Sequence, residues 1–290
     1  MVLGQALVNW LLLGTLYAAV ALGFSLVWGI MNIVNLAHGA LIVLGAYVAL
    51  VAFQTYHLDP FPAILIAMVV LFLVGWVVQY VAINRVIRAP FLVTFMLTFG
   101  LDLLATDLIQ QHFGGDTRSI NTVYSGIGLT FGSTHIAFDH VAAAVIAILL
   151  TVALSLFLGR TRTGNAILAT GMDRDAASLM GISIRRTYAL TFAIGAALAG
   201  AAGAMLAQFY PFFPSQGGSF TLTAFVIVVL GGLGTPWAAL AGGMVFGLAE
   251  TFVPLIPHVG PGYNNAIAFA MLVLVLIFRP RGILGKAFYS

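Results

Sequence analysis

The sequence predicts an all-α polytopic membrane protein with about eight or nine membrane-embedded helices, and three observations carry that prediction. Of the 290 residues, 62% are hydrophobic and only 7% charged, where a water-soluble domain carries roughly a quarter charged residues. Apolar runs long enough to cross about 30 Å of hydrocarbon, which takes about 20 helical residues, recur along nearly the whole chain. Lys and Arg gather in alternate loops, the pattern that orients a helical bundle in a membrane.

The first run, residues 6–28, has no Lys or Arg before it and no small-residue cleavage site after a short apolar core. It therefore reads as the first membrane helix and not as a cleaved signal peptide. Further spans are expected at 33–53, 61–83, 91–111, 140–158, 187–209 and 263–279. Residues 220–251 are apolar enough to be buried, but GGLGTPW (231–237) places glycines, a threonine and a proline at their centre, which disfavours a continuous helix. Two helical pieces joined by a turn are expected there. The 112–139 segment, with Gly114, Gly115, Gly126, Gly128 and Gly132, reads as an external cap of turns or a short hairpin.

Arg85 and Arg88 lie in one loop, Arg160, Arg162, Arg174, Arg185 and Arg186 in a second, and Arg279, Arg281 and Lys286 at the tail. Of the 11 Lys and Arg residues, only Arg118 falls in the alternate set of loops. Because positive loops stay cytoplasmic, the N-terminus is expected outside, and the loops at 84–90 and 159–186 and the C-terminus in the cytoplasm. Parity closes only if residues 220–251 enter and return. The formal net charge of +3 thus reflects topology and not a nucleic-acid partner. With no cysteine in the chain, disulfides, thiolate metal sites and a cysteine nucleophile are excluded.

The 32 glycines suit close helix approach in lipid. Small faces run along Ala196, Gly200 and Ala204 and along Ala199, Gly203 and Ala207, and Gly243 with Gly247 forms a GxxxG pair. They serve either packing within the chain or contact with a second membrane subunit.

No catalytic constellation is present. GGLGTPW lacks the Gly-Lys-Ser/Thr of a phosphate loop, and neither HExxH nor GxSxG occurs. An intramembrane enzyme would have only His38 and Asp102 to work with. No metal site and no cofactor of its own are expected, and any ATP is hydrolysed by another chain. Among intramembrane ionisable groups, Asp102 lies near the middle of its span, and Asp107 and Glu250 near outer ends. An ion-coupled carrier or channel would place a carboxylate where Asp102 sits; a protonated or helix-paired packing role is the alternative.

Two polar segments stand out. In GIMNIVNLAHGAL (29–41), Asn32, Asn35 and His38 recur every third residue, a spacing that aligns them on one side of a helix. The asparagines fit either capping of the second helix or the wall of a gate. His38 alone fits a packed, hydrogen-bonded histidine. VLGGLGTPWAALAGGMVFGLA (229–249) echoes the 27–46 stretch, and broken helices at corresponding places in two halves point to a membrane pathway. Gly231, Gly232, Gly234 and Thr235 join Asn32, Asn35 and His38 as candidate pathway residues.

The second segment is RTRTGNAILATGMDRDAASLMGISIRR (160–186), too polar to span. DRDAASLM (173–180) has acids in its first turn and a glycine directly after it, and reads as a short helix. Ala176, Ala177 and Met180 would give it one small apolar side for a partner's groove, with Asp173, Arg174 and Asp175 towards water. A helix lying on the membrane surface is the other reading.

GIMNIVNLAHG, RTGNAILATGMDRDAASLMGI and VVLGGLGTPWAALAGG together resemble the LivH-like permeases of branched-chain amino-acid ABC importers, in an order and spacing that cover almost the whole chain. The resemblance implies one permease domain over residues 1–290 in the bacterial inner membrane. It implies a second, LivM-like permease subunit, two cytoplasmic ATP-binding subunits and an extracytoplasmic substrate-binding protein. It further implies that Asp173, Arg174, Asp175, Ala176, Ala177, Gly181 and Ile182 form a coupling helix docking on an ATPase. Asn165 and Leu168 stand where relatives often carry arginine. Leucine, isoleucine and valine are the implied substrates; relatives also carry other amino acids, urea or short amides.

Overall fold

A computed structural model describes residues 2–87, 89–120, 127–131, 134–255, 264–279 and 282–284; Arg88, Gly126, Gly132, Arg281 and Lys286 lie outside the described residues. α1 (Val2–Met31) and α2 (His38–Tyr56) are followed by α3 (Pro60–Val78), which runs through a π turn (Gln79–Ile83) into the one-turn α4 (Asn84–Val86). Next come α5 (Phe91–Phe113), a hairpin of β1 (Gly128–Phe131) and β2 (Thr134–Ala137), and α6 (Phe138–Arg160). α7 (Arg162–Met172) and α8 (Arg174–Leu179) precede α9 (Ile184–Leu206), α10 (Gly217–Gly231), α11 (Pro236–Phe252) and α12 (Asn264–Phe278). Among the described residues 8 helices are long and apolar enough to cross a membrane, with a shorter apolar stretch in α12. The protein is therefore an all-α polytopic membrane protein.

Local chemistry sets the boundaries. Asp59 caps α3, accepting from the Phe61 N–H at 3.1 Å, with Pro60 at the first helical position where its missing donor costs nothing. α2 ends on His57 in the left-handed region (φ 51°). Within the 112–139 segment β1 and β2 pair antiparallel, in register Gly128 with Ala137 to Phe131 with Thr134. Gln5 of α1 anchors it, accepting from the His135 N–H at 2.7 Å and donating to the His135 carbonyl at 3.0 Å.

The core lies along α9, whose small residues are buried to the last one between α1, α2 and α3. A Cβ on Gly200 would press on Ala67 and Leu71 of α3, and one on Gly203 would overlap the Ile42 carbonyl of α2. Gly243 and Gly247 likewise meet Ala18 and Gly14 of α1. The small faces are thus occupied within the chain, not by a second subunit. Gly203→Leu is expected to destabilise the protein by more than about 1–3 kcal/mol, because the clash is with backbone that cannot yield; the melting temperature in detergent should fall, and an unchanged one would show that α9 has room to shift.

α5 differs. Only 17% of its apolar window is buried inside the chain, so Leu92, Met96, Phe99 and Leu103 face lipid or another subunit. α5 is held by Phe113, stacked on Tyr47 of α2 at 4.5 Å, by the buried Ile109, and by polar contacts from Thr94 and Thr98.

Candidate functional site

Of the stripe at 32–38 only His38 is helical. α1 stops at Met31; Asn32 takes φ 54° and its N–H closes the last turn on the Trp28 carbonyl at 3.0 Å, an ending that asparagine tolerates better than most residues. Residues 32–35 are irregular, and α2 starts only at His38. The expectation that the three polar residues share one helix side is overturned. So is asparagine capping of α2, whose N-cap is Ala37 with no side-chain bond.

The chain between α1 and α2 turns back into the bundle. Gly29 near the end of α1 abuts Gly234, yet the His38 ring reaches the Val20 carbonyl through Nε2 at 2.9 Å. Nine residues back along α1 is about 13 Å. α2 therefore begins well inside the membrane-spanning bundle, where every backbone group needs a protein partner.

Those partners come from two other helices. Thr221 of α10 accepts from the Gly39 N–H at 2.8 Å and donates to the Leu36 carbonyl at 3.0 Å. Thr98 of α5 donates to the Val34 carbonyl at 3.3 Å, shared with its own Phe95 carbonyl at 3.0 Å. One turn further along α5, the Asp102 carboxyl faces the Ala40 N–H, and its Oδ1 is buried with no hydrogen-bond partner. The first turn of α2 is thus capped from α5 and α10 in place of its own sequence, and a carboxylate at a helix N-terminus also meets the positive end of the dipole.

Asn35 and His38 are buried while Asn32 is exposed. Asn35 Oδ1 and His38 Nδ1 have no protein partner. The His38 ring packs edge-on against Phe24 at 5.3 Å, and donation to a carbonyl fixes its hydrogen on Nε2.

The second break is shaped by its own residues and closed by the tail. Gly232 (φ 106°) and Gly234 (φ 87°) turn the chain, and Thr235 caps α11 by accepting from the Ala238 N–H at 3.2 Å, with Pro236 next. The Ile283 and Leu284 N–H groups pair with the Leu230 and Gly231 carbonyls at 3.0 and 2.9 Å. Gly234 and Thr235 border a cleft of about 510 Å³ with Ile30, Leu168, Met172 and Trp237. The structure brings this break to α7, not to Asn35 and His38.

In the polar loop, sequence reasoning found one helix and missed α7. Asp173 caps α8, accepting from Asp175 N–H at 2.9 Å and Ala176 N–H at 3.0 Å. Gly181 (φ 82°) ends it, and the Ile182 N–H returns to the Ala177 carbonyl at 3.1 Å. Ala176 is exposed and Ala177 buried. The expected Ala176–Ala177–Met180 side therefore does not exist as one surface, because so short a helix uses Ala177 to seat itself on its own chain. Leu179 and Met180 are instead 89% and 83% exposed. Arg174 Nε lies 3.8 Å from Asp175.

Comparison with known proteins fits these features. Residues 6–276 match the family model described as branched-chain amino acid transport system / permease component. The chain belongs to this permease family. It is similar to the high-affinity branched-chain amino acid transport system permease protein BraD of Pseudomonas aeruginosa, 32% identical over 97% of this chain and 95% of that one. It is 31% identical to LivH of Escherichia coli K12, over 97% and 95% of the two chains. To LivM of the same strain it is 26% identical, over 93% of this chain and 68% of that one. The permease is thus a multi-pass protein of the bacterial inner membrane.

Proposed function

We propose that this permease is one membrane subunit of an ATP-driven importer of leucine, isoleucine, valine and similar hydrophobic amino acids. A near-full-length match to proteins named for that transport supports the reading. The whole chain acts as one permease domain, with the arginine-bearing end in the cytoplasm. It pairs with a LivM-like subunit, receives substrate from an extracytoplasmic binding protein and docks on one of the importer's two ATPases through α8, holding no nucleotide itself. ATP-driven closure of the ATPases shifts the bundle between outward- and inward-open states. The zwitterionic ends of the substrate need polar contacts on the way, since bare charge in hydrocarbon is costly, and the break at Asn32–His38 with Gly231–Thr235 forms part of the pathway wall.

Native purification is expected to bring down the ATPases, the second permease and a binding protein carrying a branched-chain amino acid. Uptake by the isolated chain under an ion gradient alone would overturn the reading, and a different ligand on the binding protein would change the substrate.

A further inference from the structure

We propose that the π turn of α3, held by a stack of Arg185 on Tyr80, is the joint through which movement of the docking helix α8 reaches α5 and the start of α2. The inference rests on the docking reading above. α8 passes through Gly181 straight into α9, and Arg185 is the second residue of α9. Its guanidinium sits 4.5 Å from the centre of the Tyr80 ring, and Tyr80 lies inside the π turn. A push on α8 therefore arrives at the one irregular turn of α3.

That turn has a second possible arrangement built into it. Gln79 is fully buried, and its Nε2 donates to Asn84 Oδ1 at 3.2 Å. Gln79 Oε1 and Asn84 Nδ2, an acceptor and a donor, are both buried with no partner. The two amides make half of the doubly bonded pair that facing amides can form. A π turn carries one more residue than α-helical geometry requires, and such turns mark functional positions in helices. Its relaxation to α geometry turns everything beyond it by about 100° per residue and carries Gln79 and Asn84, five residues apart, from one side of the helix towards opposite sides, which breaks their bond. With one acceptor and one donor unmet, the two amides hold the π turn only weakly.

What lies beyond the turn is α5. The Val86 carbonyl accepts from the Thr94 hydroxyl at 3.4 Å, fastening the first turn of α5 to the end of the joint. Thr98 and Asp102, on the same side of α5, hold the backbone around the start of α2. A two-state joint at 79–84 thus biases a weakly buried helix that caps the break.

The test uses the complete importer in proteoliposomes and measures amino acid imported per ATP hydrolysed. Tyr80→Leu and Arg185→Gln are expected to retain ATPase binding and hydrolysis while import per ATP falls about five-fold or more, with Tyr80→Phe and Arg185→Lys near the parent value. An unchanged ratio in both disruptive variants overturns the joint. If they fail to assemble, the cysteine-free chain permits a second route: cysteines at 80 and 185 linked by a reducible methanethiosulfonate spacer should stop import until reduced. Undiminished import when linked overturns the joint. A parent complex that binds no ATPase overturns the docking reading, and the joint with it.

Discussion

Asp102→Leu is expected to reduce amino-acid uptake about ten-fold or more, while Asp102→Asn retains most of it. Leucine takes away the acceptor that faces the Ala40 N–H inside the bundle, at a cost of about 1–3 kcal/mol, whereas the asparagine carbonyl still offers one. An ion-coupled carrier predicts equal loss in both variants, since neither asparagine nor leucine can exchange a proton. Thr221→Val should behave like the leucine variant, and Thr221→Ser like the parent. Uptake of labelled leucine, normalised to membrane level by immunoblot, distinguishes the cases. Equal loss in Asp102→Asn and Asp102→Leu would replace the capping account with one that needs the charge.

The second large effect concerns α8. Leu179→Glu combined with Met180→Glu is expected to release the ATPases on purification with the permease fold intact, because both side chains project from the protein. Removing two exposed apolar anchors and adding charge is worth more than about 2 kcal/mol at the centre of an interface, or roughly thirty-fold in affinity. Ala177→Arg should also release them, but by a different route: it unseats α8 from its own chain, so protease sensitivity of the loop rises as well. Retention of the ATPases by the double glutamate variant would move the docking surface to another part of residues 160–186.

Hydropathy made the bundle legible because span length and polarity are summed over some 20 residues, so errors at individual positions cancel. The break at Gly231–Pro236 was equally readable, since its glycine turn, threonine cap and proline all act on their immediate neighbours. The break at Asn32–Ala37 was legible as a place but not as a shape. Its period of three suggested a helix, yet the chain is held by Thr98, Asp102 and Thr221, which are far away in sequence. A signal was present: Thr98 and Asp102 are a turn apart on an apolar helix, the spacing at which two side chains act on one target. For α8 the obstacle was burial. The sequence shows that Ala177, Leu179 and Met180 are apolar, but which of them the chain keeps for itself depends on how α9 leaves the turn at Gly181.

The long pairing of α1 with α11 bears on how the protein is made. The first helix enters the membrane early in synthesis, but the residues that fit against Gly14 and Ala18 are Gly247 and Gly243, which emerge more than two hundred residues later. Until then that side of α1 stays open to lipid or to a chaperone. α10 waits longer still, because the carbonyls of Leu230 and Gly231 meet their donors only when Ile283 and Leu284 have been made. A nascent chain stopped before residue 283 would therefore carry nearly all its spans and still lack the contacts that finish α10.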